Sequence, residues 1–128
     1  MQLYQKGDPL PWHDLITEIK TELEKLYYPS TFDYVLMNHY RNGEDKIGLH
    51  NDDEAFGDDN NVIASLSFGA TRRFIVMPMK GKKPKYNYNL THGSLVVMRG
   101  DTQKGWKHMV PAESGLKDPR INLTFRKS

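Results

Sequence analysis

Arg120-Ile121-Asn122-Leu123-Thr124-Phe125-Arg126 alternates without a break between polar and apolar side chains. A period of two is the signature of a β-strand, so Arg120, Asn122, Thr124 and Arg126 share one face and Ile121, Leu123 and Phe125 the other. Two placements fit this pattern. On the edge of an antiparallel sheet with one wet face, the basic row is simply solvated. In a closed β-structure the row lines a hollow, where two guanidinium forks can hold both ends of a small dicarboxylate by bidentate, charge-assisted bonds. The second placement requires an anion, because a buried cation without a partner is costly.

Upstream, the chain reads as more short strands separated by Gly, Asn and Pro turns. From Phe32 the period is two: Tyr34, Leu36, Asn38 and Tyr40 fall on one face and Val35, Met37 and His39 on the other, with Arg41-Asn42-Gly43 as the turn that follows. Residues 61–68, 71–79 and 93–98 are β-branched or apolar runs of strand length, whereas residues 53–61 (DEAFGDDNN) are a loop by composition. Before them, Trp12, Leu15, Ile16, Ile19, Leu23, Leu26 and Tyr27 recur at three- and four-residue spacing, which predicts an amphipathic helix ended by Pro29. Residues 1–11 contain Gly7, Pro9 and Pro11 and read as an irregular lead-in, and His13 reads as a surface residue of the first helical turn. Six to eight short strands after one helix predict a mainly β fold with a flanking helix, an antiparallel sandwich or jelly roll.

With 128 residues there is room for one domain with a real core, and hence for one site. Hydrophobic and charged fractions of 38% and 27% describe a globular chain rather than a disordered one. The absence of cysteine removes disulfides, zinc ribbons and thiol catalysis, so any metal must be held by histidine and carboxylate. A net charge of +2 permits a polyanionic partner without demanding one. No apolar run reaches membrane-span length and the first residues lack the order of a signal peptide, so a soluble intracellular protein is expected.

His50-Asn51-Asp52 places an imidazole and a carboxylate two residues apart, on one face of an extended strand. With a histidine from elsewhere they would form the two-histidine, one-carboxylate facial triad of non-haem iron(II) oxygenases; as two solvated side chains at a strand end they would do nothing. His108 and His92 both compete for the third position. His108 is favoured, since His92 adjoins Gly93 at a turn, and His39 points away from Asn38 and Tyr40. An iron held by three protein ligands needs a chelating co-substrate, and 2-oxoglutarate is also a dicarboxylate of the kind the arginine row could hold. Zinc hydrolysis would explain the ligands but leave that row without purpose. The basic segment 80–85 is either a solvated hairpin tip or a phosphate-contacting loop; the latter alone would make a non-catalytic nucleic-acid-binding domain.

Taken together and in order, Asn38-His39-Tyr40, His50-Asn51-Asp52-Asp53-Glu54, residues 64–70 (ASLSFGA), His92-Gly93-Ser94-Leu95, His108 and residues 120–126 resemble the AlkB family of Fe(II)- and 2-oxoglutarate-dependent dioxygenases. The resemblance spans residues 32–127 and points to members of the AlkB homologue two and three type, which repair alkylated DNA. It implies a double-stranded β-helix, the cupin-like jelly roll, with His50, Asp52 and His108 as catalytic iron ligands. It further implies that Arg120, assisted by Tyr40, pairs with the distal carboxylate of 2-oxoglutarate, while Asn38, Thr124 and Arg126, with Asn122 in the same row, support its chelating end and surroundings. Asp53 and Glu54 would contact the damaged base, and Lys82 and Lys83 the nucleic-acid backbone. The implied reaction removes N-methyl groups from 1-methyladenine and 3-methylcytosine, consuming O2 and 2-oxoglutarate and releasing formaldehyde, succinate and CO2. DNA is the implied polymer, with RNA as the alternative. A monomer without membrane attachment is expected, nuclear in a eukaryotic cell and cytoplasmic otherwise. Family members carry an N-terminal nucleotide-recognition lid; with about eleven residues ahead of the helix, most of that lid is expected to be missing here, and Tyr4 is either its relic or an ordinary exposed tyrosine.

Overall fold

The computed structural model describes residues 2–3, 13–50, 62–80, 85–99 and 105–127. The alternating segment forms β9 (Arg120–Arg126), which lies inside a sheet rather than at its edge. It pairs antiparallel with β2 (Tyr34–Tyr40) on one side and β4 (Val62–Gly69) on the other. Beyond β2 lies β1 (Gln2–Leu3), and beyond β4 lies β7 (Leu95–Arg99). A second sheet has the order β3 (Ile47–His50), β8 (Trp106–Val110), β5 (Arg72–Pro78), β6 (Tyr86–Leu90). From β2 onward the chain passes back and forth between the two sheets, except where β5 and β6 form a hairpin within the second, which is the winding of a double-stranded β-helix.

Apart from Ile121, which is 39% exposed, both faces of β9 are covered, so its alternation separates two interiors rather than inside from outside. Leu123 and Phe125 join Leu23, Phe32, Val62 and Ala64 in the core beneath α1 (Asp14–Leu26), with Phe32 set edge-on to Phe125 at 6.1 Å between ring centroids. Tyr40, Ile63, Phe74, Leu90, Met98 and Val110, contributed by both sheets, form the other core. Arg120, Asn122 and Thr124 are 2%, 5% and 5% exposed. The solvated-edge placement is therefore excluded.

Several local expectations change. Gln2–Leu3, read as irregular lead-in, pairs with Asn38 and Met37; a two-residue strand is too short to show a period. Strands β3, β6 and β8 fall where the sequence marked no limits, since each is short and mixed in polarity. The helix presents Leu23, Ile16, Ile19 and Tyr27 to the sheet but leaves Leu15 and Leu26 exposed, a narrower stripe than the spacing suggested. His13 is its N-cap, with Nδ1 accepting from the Leu15 amide at 3.1 Å, so this surface histidine also satisfies a helix-end donor.

Glu24 ties the helix to the chain that enters β2. Its Oε2 accepts from the Phe32 amide at 2.8 Å and its Oε1 from Lys20 Nζ at 2.9 Å. Partial burial works to raise the Glu24 carboxyl, but the Phe32 and Lys20 donors and the charges of Lys20 and Lys127 outweigh it and hold the group below its ordinary value. A depressed carboxyl adds stability above its unfolded pKa, and that stability disappears as the pH falls through the folded one. The gap in Tm between the parent and Glu24→Gln should thus be open at neutral pH and close on acidification below the ordinary carboxylate range. A gap that stayed constant with pH would remove the carboxylate's charge from the account.

Candidate active site

Strand register brings the histidines together. His50 and His108 are Cα partners across the β3–β8 pair, and their rings meet edge-on with centroids 4.4 Å apart. Ile47 pairs with Val110 and His50 with His108, so three steps along β3 match two along β8. The extra residue is a bulge, and it turns His50 onto the face of Ile47, where regular alternation would have sent it to the opposite side. Both side chains line one cavity between the sheets. His50 Nδ1 lies 2.7 Å from the Gly48 carbonyl; donating that hydrogen bond assigns the proton to Nδ1 and makes Nε2 the ligating nitrogen. His108 is 8% exposed, with its ring 5.2 Å from that of Phe74.

The competing histidines are engaged elsewhere. His92 Nδ1 accepts from the Gly69 amide at 2.9 Å, and its ring rests on Phe68 in the turn between β6 and β7. His39 lies opposite Ile121, on the other face of β2 from Asn38 and Tyr40. Asp52, Asp53, Glu54, Lys82 and Lys83 lie outside the described residues, as does Tyr4. Among the described residues no three His, Asp or Glu side chains gather around a point.

The same cavity is lined by Asn38, Tyr40, Arg120, Asn122, Thr124 and Arg126. β2 and β9 put them there in register, with Tyr40 opposite Arg120 and Asn38 opposite Asn122. Arg120 Nη2 donates to Ser67 Oγ at 2.8 Å and its guanidinium carbon sits 4.9 Å from the centre of the Tyr40 ring, but Nε and Nη1 are buried with no hydrogen-bond partner. Burial lowers the Arg120 pKa while Tyr40 works to raise it; burial in turn raises the Tyr40 phenol against the pull of Arg120 and Arg72. Arg120 remains a cation at neutral pH. Two orphaned donors on a buried cation fit a carboxylate, and the unpartnered Asn38 Oδ1 beside them can accept a hydrogen bond. The residues therefore suit a metal ion at one end of the cavity and an organic anion at the other.

Asn122 has a narrower part than its place in the row suggested. Its Nδ2 donates to Ser65 Oγ at 2.8 Å and its Oδ1 accepts from Thr124 Oγ1 at 2.8 Å, so it braces the lining. Ser65 and Ser67 lie in the segment 64–70 that carries part of the family resemblance, but the sequence assigns neither a role; they read as two hydroxyls at period two within an apolar strand. Arg72, 1% exposed with its guanidinium carbon 5.2 Å from the centre of the Tyr40 ring, carries no sign in the sequence of its place beside the site. A wider cavity of about 600 Å³ shares His108, Phe74, Leu90 and Met98 with the first and continues toward Trp106, Tyr86 and Tyr88. It is larger, but the guanidinium chemistry belongs to the smaller one.

A histidine pair and a buried arginine inside a double-stranded β-helix define an oxygenase-type site, and residues 3–126 match the model of the 2OG-Fe(II) oxygenase superfamily; the chain belongs to this family. It is 41% identical over 131 residues to the human alpha-ketoglutarate-dependent dioxygenase alkB homolog 3, covering 93% of this chain and 44% of that protein. It is also 38% identical over 126 residues to the DNA oxidative demethylase ALKBH2 of Bos taurus, covering 93% of this chain and 45% of that one. The chain thus spans under half the length of these relatives. Among solved structures, that of OsALKBH1 matches with a TM-score of 0.63 at 22% identity, over 90% of this chain and 60% of the other, a likeness of fold.

Proposed function

We propose that this chain is the catalytic domain of an Fe(II)- and 2-oxoglutarate-dependent demethylase that removes N-methyl groups from 1-methyladenine and 3-methylcytosine in alkylated DNA. The observation that carries the reading is Arg120, a buried cation with two unsatisfied donors in the cavity that also holds the His50–His108 pair. His50, Asp52 and His108 would hold the iron. Arg120 would take the distal carboxylate of 2-oxoglutarate, with Tyr40 beside it, and Asn38, Thr124 and Arg126 would border the chelating end. When bound, iron and 2-oxoglutarate, with dioxygen as the oxidant, would supply oxidative decarboxylation to succinate and CO2, one oxygen atom entering succinate and the other the N-methyl carbon, whose hydroxylated product loses formaldehyde.

The protein's own contribution is positioning. The fork of Arg120 sets the direction of the dicarboxylate, and the packed side chains of Phe74, Leu90, Met98 and Val110 supply the apolar part of the cavity's lining. A methyl group in stacked duplex cannot reach a site enclosed between two sheets, so the nucleotide must be extruded, which costs least for damaged bases. Asp53 and Glu54 follow the metal tripeptide in sequence, and a carboxylate there suits a base made cationic by ring-nitrogen methylation. Lys82 and Lys83 would meet the backbone. A monomer located in the nucleus or cytoplasm completes the proposal; among the described residues no helix is long and apolar enough to cross a membrane.

The test is release of formaldehyde and succinate from an oligonucleotide carrying 1-methyladenine. Asp52→Ala should abolish it; activity equal to the parent would sink the assignment. Competition between matched DNA and RNA oligonucleotides decides the polymer. Binding that falls with salt yet ignores iron would instead leave a non-catalytic nucleic-acid module.

A further inference from the structure

Among the described residues Arg72 is the most buried cation outside the proposed ligand set, and the contacts below lead toward that set. Its Nη1 donates to the Asn42 carbonyl at 3.2 Å and its Nη2 to the carbonyls of Asp45 and Pro111 at 2.7 and 2.9 Å. Its Nε forms an ion pair with Glu113 at 3.0 Å, and its guanidinium carbon lies 5.2 Å from the centre of the Tyr40 ring. Asn42 and Asp45 belong to the loop that joins β2 to β3, and so Tyr40 to His50. Pro111 and Glu113 belong to the loop that joins β8 to β9, and so His108 to Arg120.

The two loops also bond directly. The Gly43 amide donates to the Leu116 carbonyl and the Glu113 amide to the Gly43 carbonyl, each at 2.8 Å. They approach so closely that a Cβ on Gly43 would overlap the Glu113 carbonyl. One guanidinium therefore ties together the connections of all four strands that carry the histidine pair, Tyr40 and Arg120. Its planar fork is suited to this, since it meets three carbonyls and a carboxylate from a single rigid group.

We infer that Arg72, with Glu113, is a positioning residue for the anion end of the cavity: it fixes the Tyr40 ring, and through it the guanidinium of Arg120, in the geometry that receives a dicarboxylate. The inference rests on the proposed function, in which that dicarboxylate is 2-oxoglutarate. Charge alone does not explain the arrangement, because a second cation near Arg120 disfavours the first, as the effect of Arg72 on the Arg120 pKa indicates. Geometry is what Arg72 adds.

The experiment measures the dissociation constant of 2-oxoglutarate by calorimetry on the 128-residue chain with Mn(II), for the parent, Arg72→Lys and Glu113→Gln. Both variants are expected to bind about five- to tenfold more weakly, the size of an ordinary coupling between neighbouring residues. In a Tyr40→Leu background, which removes the ring through which Arg72 acts, Arg72→Lys should cost nothing further. A purely structural role would lower Tm and leave the dissociation constant, measured well below Tm, unchanged. Parent-like affinity in Glu113→Gln, with Arg72→Lys either parent-like or unfolded, overturns the inference, as does an undiminished effect of Arg72→Lys without Tyr40. A parent that itself fails to bind 2-oxoglutarate overturns the proposed function and this inference together, whereas a binding parent with unaffected variants overturns this inference alone.

Discussion

Arg120→Ala is expected to weaken 2-oxoglutarate binding by about 2–5 kcal/mol, the range for truncating one side of a buried, hydrogen-bonded charge pair. Of the groups facing the cavity, Arg120 combines the deepest burial with a full charge and two donors that the protein leaves unsatisfied. Removing it would leave a carboxylate desolvated with no counter-charge. Arg120→Lys should recover part of the affinity, since an ammonium restores the charge but cannot donate as a fork. Stability should move the other way. Unpaired buried donors cost folding free energy, so Arg120→Met, which removes them at similar volume, should melt no lower than the parent when no dicarboxylate is present. Unchanged co-substrate affinity in Arg120→Ala would show that the buried row serves another ligand.

His108→Ala is expected to lower metal affinity by more than about 100-fold, since loss of a direct ligand exceeds the 10- to 100-fold cost of losing a hydrogen-bonding neighbour of one. The imidazole of His50 stands edge-on to it at 4.4 Å, so removal would leave one of the two proposed nitrogen ligands. Titration with Fe(II) under anaerobic conditions reads the effect, and circular dichroism confirms that the void beside Phe74 has not unfolded the sheet. Acid should imitate the substitution, because an imidazole binds metal only when deprotonated. His92→Ala provides the contrast: its ring serves the Gly69 amide and Phe68, so metal affinity should stay at the parent value. Equal losses in the two variants would reassign the ligand.

The sheet-forming segments were legible because alternation is written into a few consecutive residues. Residues 120–126 declare a strand unaided, and the run 61–68 nearly so. Strands β3, β6 and β8 declare nothing comparable, yet they build the sheet that carries both histidines. His50 shows the limit most clearly: its orientation depends on a bulge visible only against β8. Ser67 and Arg72 escaped attention because a serine in an apolar run, or an arginine at the start of one, has many ordinary uses. Their importance lies in what faces them, Arg120 in one case and the two loops in the other.

The amino-acid sequence on its own determined the predominance of short strands, the flanking helix, and an inventory of histidine, carboxylate and arginine suited to a metal and a dicarboxylate. Tertiary structure alone decided that His108 rather than His92 meets His50, that the basic row of β9 turns inward, and that Arg72 joins the loops behind the site. The division has a physical cause. Alternation is a property of neighbours along the chain, whereas the partner of a side chain is set by strand register and sheet order across dozens of intervening residues, and a single-residue slip in register sends a side chain to the opposite face.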